Sequence, residues 1–289
     1  MGKLWPLLLS SLLVAPQLGR TQALLPQPLA PGCGSKANQD SLVARYIDRG
    51  AEKYSYLDPR WTQCCDSLIA SCPSIAVAYQ HKAVPLVKDG KWEEAFALEN
   101  KAVELDPRSW LAYRGFLKVI KTKDYDGGLA DFQQASRLNP RGREMDHTYP
   151  FFEGLCHLET GKYAQAEADF KRDVALQKAS AAESNVHFNS LFYLGVLYFE
   201  MEKYALAEQY LQQCLKQYAQ HPDAHYYLAL SYRAEKREAP ARQHLALAQQ
   251  YLAKGYQLSE DNIVYENYPH QITAYEVQQA LAGAVAAAR

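Results

Sequence analysis

Glycine and proline are scarce, at 15 and 14 of 289 residues, too few and too scattered for a collagen-like or low-complexity chain. Neither sign of charge prevails. The 31 Lys and Arg stand against 32 Asp and Glu, so the net charge of -1 gives no global field to gather nucleic acid or an anionic membrane surface. A Gly-rich phosphate loop and a basic stripe are both missing. Long apolar runs are missing too, apart from Leu4 to Val14 near the start, so nothing beyond it approaches the roughly 20 apolar residues of a membrane span. Tyrosine is plentiful, with 21 copies. That supply suits a helical array whose gaps are filled by aromatic rings.

The N-terminus stands apart from the rest. Lys3, the apolar run and the small-residue exit at Thr21-Gln22-Ala23 read as a secretory signal peptide over residues 1–23. Residues 24–40 are Pro- and Gly-rich without periodicity and read as a tail. Export to the periplasm or another extracytoplasmic space follows, with a soluble mature chain. Cys33, after Leu29-Ala30-Pro31-Gly32, leaves open a lipid-modified N-terminal cysteine, against which Arg20 and the Pro-rich gap count.

From about residue 74 a block recurs. Gly90-Lys91-Trp92-Glu93-Glu94-Ala95 with Lys101-Ala102-Val103-Glu104-Leu105-Asp106-Pro107 returns as Asp124-Tyr125-Asp126-Gly127-Gly128-Leu129 with Gln134-Ala135-Ser136-Arg137-Leu138-Asn139-Pro140. Further copies are Gly161-Lys162-Tyr163-Ala164-Gln165-Ala166 and Glu202-Lys203-Tyr204-Ala205-Leu206-Ala207, the latter preceded by Leu194-Gly195-Val196-Leu197-Tyr198. This period and punctuation resemble the tetratricopeptide repeat family, in its bacterial exported form. The resemblance implies an all-α solenoid of about five helix pairs over residues 74–256, with a degenerate pair over 41–73 and a linker and capping helix over 257–289. Small residues fall where helices must meet: Ala83, Ala95 and Ala102; Gly154 and Ala166; Gly195 and Ala207; Ala229, Ala241 and Ala248. In the second unit Phe116 takes the small position, and Glu153 replaces an apolar residue in the third.

Proline punctuates the units. Asp106-Pro107, Asn139-Pro140 and His221-Pro222 are expected to stop helices. Pro85 lies inside a predicted helix, where it leaves the carbonyl of His81 unpaired and implies a kink. Among the six cysteines, Cys33, Cys64 and Cys72 are candidates for a disulfide tying the tail to the first pair, with connectivity open. Cys156 and Cys214 read as buried thiols.

Family register also implies a concave groove. It places Gln80, Tyr113, Phe151, Phe192 and Tyr226 at one groove-facing position and Val84, Leu117, Leu155, Val196 and Leu230 one turn on. The Lys, Arg and Asn that would clamp an acidic tail do not occur there. The candidate peptide-binding residues are therefore Tyr113, Leu117, Phe151, Leu155, Phe192, Val196, Tyr226 and Leu230, for apolar or aromatic anchors. Self-occlusion by the tail segment Leu24 to Leu29 is the alternative.

Catalytic groupings are weak. His221 and His225 flank Pro222 without the Glu of a zinc protease, Asp223 reads as a helix N-cap, and Asp146-His147 reads as a turn. No metal and no cofactor are expected. The reading is a non-enzymatic scaffold of the cell envelope holding a partner protein or peptide, and the alternative is a structural subunit of an obligate complex with a self-occluded groove. The register itself is testable, because Ala207→Leu should overpack the fourth unit and cost about 1–3 kcal/mol. Denaturant titration measures this, and an unchanged midpoint would count against the register.

Overall fold

The structure, a computed structural model, describes residues 33–179, 186–258 and 267–283. The expected signal peptide, the segment Leu24 to Leu29 and part of the 179–185 insertion lie outside the described residues. Helices dominate. An opening pair, α1 (Lys36–Val43) and α2 (Pro59–Ser71), precedes five helical hairpins. These are α3 (Ala76–Lys88) with α4 (Trp92–Leu105), α5 (Pro107–Phe116) with α6 (Tyr125–Leu138), and α7 (Tyr149–Glu159) with α8 (Tyr163–Lys178). Next come α9 (Phe188–Glu200) with α10 (Tyr204–Gln217), and α11 (Pro222–Ala234) with α12 (Glu238–Ala253). A last helix, α13 (Ala274–Leu281), packs on α12.

Each hairpin closes on a small residue. A Cβ at Gly154 would lie 2.7 Å from the Phe170 ring, and one at Gly195 would lie 2.6 Å from Leu211 Cγ. Ala83, Ala102, Ala166, Ala207, Ala229, Ala241 and Ala248 have no exposed surface. In the second unit the residue in this role is Gly115, whose Cβ would meet Phe132 at 3.0 Å, and Phe116 is displaced by one. The cause is an extra residue absorbed in a π-helical stretch, Leu117–Lys121, that extends α5. The closing turns show the same insertion. Lys91, Lys162, Lys203 and Arg237 each donate their N–H five residues back, to Leu86, His157, Tyr198 and Tyr232, whereas Asp124 reaches six back to Lys118. All five turns place a residue in the left-handed region, namely Gly90, Lys123, Gly161, Glu202 and Lys236. Glycine meets that demand in only two of them.

Two expectations change, and one linker gains structure. The residues read as tail up to Asp40 are helical from Lys36, because the Ser35 hydroxyl accepts the Asn38 N–H and starts α1. The helix through Pro85 is unbroken, and the carbonyl of His81 is not unpaired: the Trp61 indole N–H donates to it at 2.7 Å. The linker after Pro140 forms a short hairpin, β1 (Arg143–Glu144) with β2 (His147–Thr148), whose two turn residues Met145 and Asp146 both have positive φ.

The cores are two. One runs from Val87 to Ala280 through all five units. The other gathers Cys33, Ile47, Ala51, Cys65, Leu68, Cys72, Ile75 and Ala78. In it Cys33 is joined to Cys72, with Cα atoms 5.3 Å apart, while Cys64 is a free thiol. Closing that loop removes about 3–4 kcal/mol of unfolded-chain entropy. The same sulfur cannot also carry a lipid thioether, so the bridge and lipidation of Cys33 exclude each other.

Trp61 thus repairs a defect made by Pro85. Trp61→Phe should destabilise the chain by about 1–3 kcal/mol, since the His81 carbonyl loses its donor. In a Pro85→Ala background the restored amide serves that carbonyl, so the same change should cost clearly less. Equal costs in the two backgrounds, read from urea titrations, would refute this division of labour.

Candidate functional site

Residues 267–273 lie against the first helices of the last three units, α7, α9 and α11. Polar side chains of successive units grip that segment largely by its main chain. Tyr193 Oη, on α9, donates to the Pro269 carbonyl at 2.8 Å, and Asp223 Oδ1, on α11, accepts the Ile272 N–H at 2.7 Å. Lys123 donates to the Asn267 carbonyl. Tyr268 and Ile272 are buried among these contacts, at 5% and 3% exposure. The Tyr268 ring approaches that of His147, which the β1–β2 hairpin stacks on Phe151 at 3.9 Å.

His270 marks the middle of the segment. Its Nε2 lies 2.8 Å from Glu159 of α7, its Nδ1 lies 4.0 Å from Glu200 of α9, and Tyr227 Oη sits 3.0 Å from Nδ1. The contact with Glu159 is a close charge approach without hydrogen-bond geometry, and Glu159 Oε1 is buried. Beyond Ile272, Thr273 and Glu276 form a capping box that starts α13, and Arg233 holds the far end through the Ala280 carbonyl at 2.8 Å.

The eight groove candidates now have definite places. Phe151, Leu155, Phe192, Val196 and Tyr226 are buried, as is Leu117, while Tyr113 and Leu230 are half-buried. The one-residue insertion in α5 shifts the register, so Ala112 rather than Tyr113 matches Phe151 and Phe192. Tyr113 instead packs between Trp110 and Phe116. The polar contacts to the segment come instead from Tyr193, Tyr227, Asp223, Glu159 and Glu200. A signal for them existed in the repeat spacing. Glu159 and Glu200 each stand four residues before the tyrosine that opens the next helix, Tyr163 and Tyr204.

Asp223 is not the N-cap of α11, a place taken by His221. Burial pushes its carboxyl up to about 7, with the Ile272 N–H pulling the other way. Burial holds the neighbouring His221, 3.5 Å away, down to about 3, with the nearby His225 adding to the effect. His225 is committed elsewhere, to the Ala219 carbonyl and His244, so His221 and His225 do not converge on a metal. Asp146 is exposed at its turn while His147 is buried, so that pair does not converge either. Burial also raises the thiols of Cys156 and Cys214, which leaves both poor nucleophiles.

Family comparison agrees with this geometry. A tetratricopeptide repeat model matches residues 189–221, the fourth unit and its exit. The fold is that of a tetratricopeptide-repeat solenoid, and the fourth unit matches the family's repeat. The chain's fold is similar to that of PilW, described as a widely conserved type IV pilus biogenesis factor, with a TM-score of 0.60 at 15% identity over 77% of this chain and 96% of that one. It is similar also to a tetratricopeptide repeat protein from Parabacteroides merdae, with a TM-score of 0.57 at 14% identity over 75% and 87% of the two chains. YrrB, described as a TPR protein with an unusual peptide-binding site, gives 0.50 at 19% identity over 66% and 93%. No curated protein sequence matches the chain.

The Asp223–His221 pair makes a pH prediction for this repeat protein. Between pH 3.8 and 6.5 the unfolded pair holds one proton, on His221; the folded pair also holds one, on Asp223, so the pair adds no slope. Asp223→Asn leaves His221 uncompensated. Unfolded His221 then binds a proton below 6.5 that folded His221 refuses until about 3, so the variant should lose stability relative to wild type as pH falls through that window. The expected relative loss from pH 7 to pH 4 is roughly 1–4 kcal/mol. Matching pH dependence of the urea midpoints would show that the buried pair is not neutral.

Proposed function

We propose that this protein is an exported, non-enzymatic scaffold of the cell envelope that holds a peptide segment of a partner protein in an apolar and aromatic concave groove. The observation that carries the reading is that the row of first helices already accommodates an irregular stretch of polypeptide, turned at Pro269–His270 and gripped through the carbonyl of Pro269 and the amide of Ile272. Contacts of that kind are indifferent to side-chain identity and suit a segment of another chain equally well. The fold neighbours support an interaction role, since YrrB is described by its peptide-binding site and PilW as a type IV pilus biogenesis factor. Export rests on the N-terminal signal alone.

Self-occupation of the groove favours a second reading, a permanent subunit whose partner meets the convex faces. Position-specific photocrosslinking separates the two. A photoreactive residue at Glu200 in the groove should trap a partner in the cell envelope, and one at Gln213 on α10 should not. Trapping at Gln213 alone would overturn the groove reading in favour of the subunit.

A further inference from the structure

Granting that the groove holds a segment of chain, as proposed above, we infer that residues 267–273 act as a pseudo-ligand, and that the partner in trans carries a basic side chain which enters between Glu159 and Glu200. The two carboxylates occupy the same register of consecutive units. The matching positions of the first, second and fifth units are Lys88, Lys121 and Ala234, so the acidic pair belongs to the third and fourth alone. Among the described residues, His270 is the one basic group that forms an ion pair with either carboxylate. Both remain partly accessible, at 20% and 31% of their side-chain surface.

An imidazole is a modest occupant for such a place. It has two ring nitrogens, and here one of them faces the Tyr227 hydroxyl rather than a carboxylate at close range. A guanidinium or ammonium brings permanent charge and more donors, enough to serve both carboxylates at once. The neighbouring grips fix the rest of the pattern. Tyr268 and Ile272 are buried on either side of His270, and the chain turns between them, the Gln271 N–H donating back to the Tyr268 carbonyl, so the fitting partner presents an aromatic, a basic and an aliphatic residue around a tight turn. Such a partner competes with a segment tethered at an effective concentration on the order of millimolar, and the stronger charge pairing is what lets it succeed.

Full-length protein and synthetic peptides of residues 267–273 provide the test, with hydrogen exchange at the Ile272 amide as the reading of whether the resident segment stays seated. A peptide carrying His270→Arg, at millimolar concentration, should speed that exchange at least about tenfold, the equivalent of ~1.4 kcal/mol. One carrying His270→Ala should leave it unchanged. Glu159→Gln together with Glu200→Gln in the protein should remove the response to the arginine peptide while helical content is retained. If the arginine and alanine peptides act alike, the acidic pair selects nothing and the inference falls while the groove reading stands. If neither peptide binds or alters exchange, the segment is a fixed part of the fold and both fall.

Discussion

The close approach of two helices at one small residue per unit is what the rest of this solenoid depends on. With Gly154 against Phe170 and Gly195 against Leu211, the second helix of each pair lies near enough that its neighbours interlock. A single added methyl group would force a shift, because interiors packed at this density have no slack. From that contact follow the angle of the hairpin, the left-handed turn that closes it and the row of first helices that forms the groove. The second unit shows how firmly the contact is held. An extra residue is accommodated by a π-helical stretch in α5, and Gly115 still reaches Phe132.

Polar groups take over where this apolar scheme is interrupted. At the small position of α8 stands Asp173, fully buried, and it accepts from Thr148 Oγ1 and Gln177 Nε2, each at 2.7 Å. Gln177 in turn donates to Ser190 and accepts the His187 N–H, so one network spans the insertion between the third and fourth units. Breaking such a network leaves several buried groups unpaired at once, which costs more than any single bond in it is worth. Glu153 is treated likewise: it accepts from Ser136 at 2.5 Å and pairs with Arg172. Glu99 has no such partner, and burial pushes its carboxyl up to about 8, so it sits protonated in a place that Phe132 and Phe170 fill in later units.

What the sequence made legible was whatever repeats. The five units, their small residues and the proline boundaries all rest on local rules that recur every 34 residues or so, and Asp106 both ends α4 and caps α5 as those rules require. Departures from period were not legible. The π-helical residue moved Tyr113 out of the groove register, and nothing local in Leu117 to Lys121 marks it. The Trp61 bond to His81 and the segment over the first helices join residues 20 and 43 or more positions apart, in the second case from a stretch that had lost the repeat pattern. Such pairings are set by tertiary geometry, which a periodic reading does not contain.

The self-occupied groove follows from the same composition that builds the units. On α9 every residue from Asn189 to Tyr198 is buried, which is possible only if something covers the concave side as well as the neighbouring helices. A bare aromatic surface of that extent in water would invite association. The covering segment is continuous with α13 through the Thr273 cap, and α13 closes the end of the last unit. Groove and end cap are therefore coupled: lifting residues 267–273 strains the anchorage of α13, and firm seating of α13 raises the local concentration of the segment that a partner must displace. On the reading proposed above, a partner has to displace both contacts at once, which sets a threshold that weak or non-specific chains do not cross.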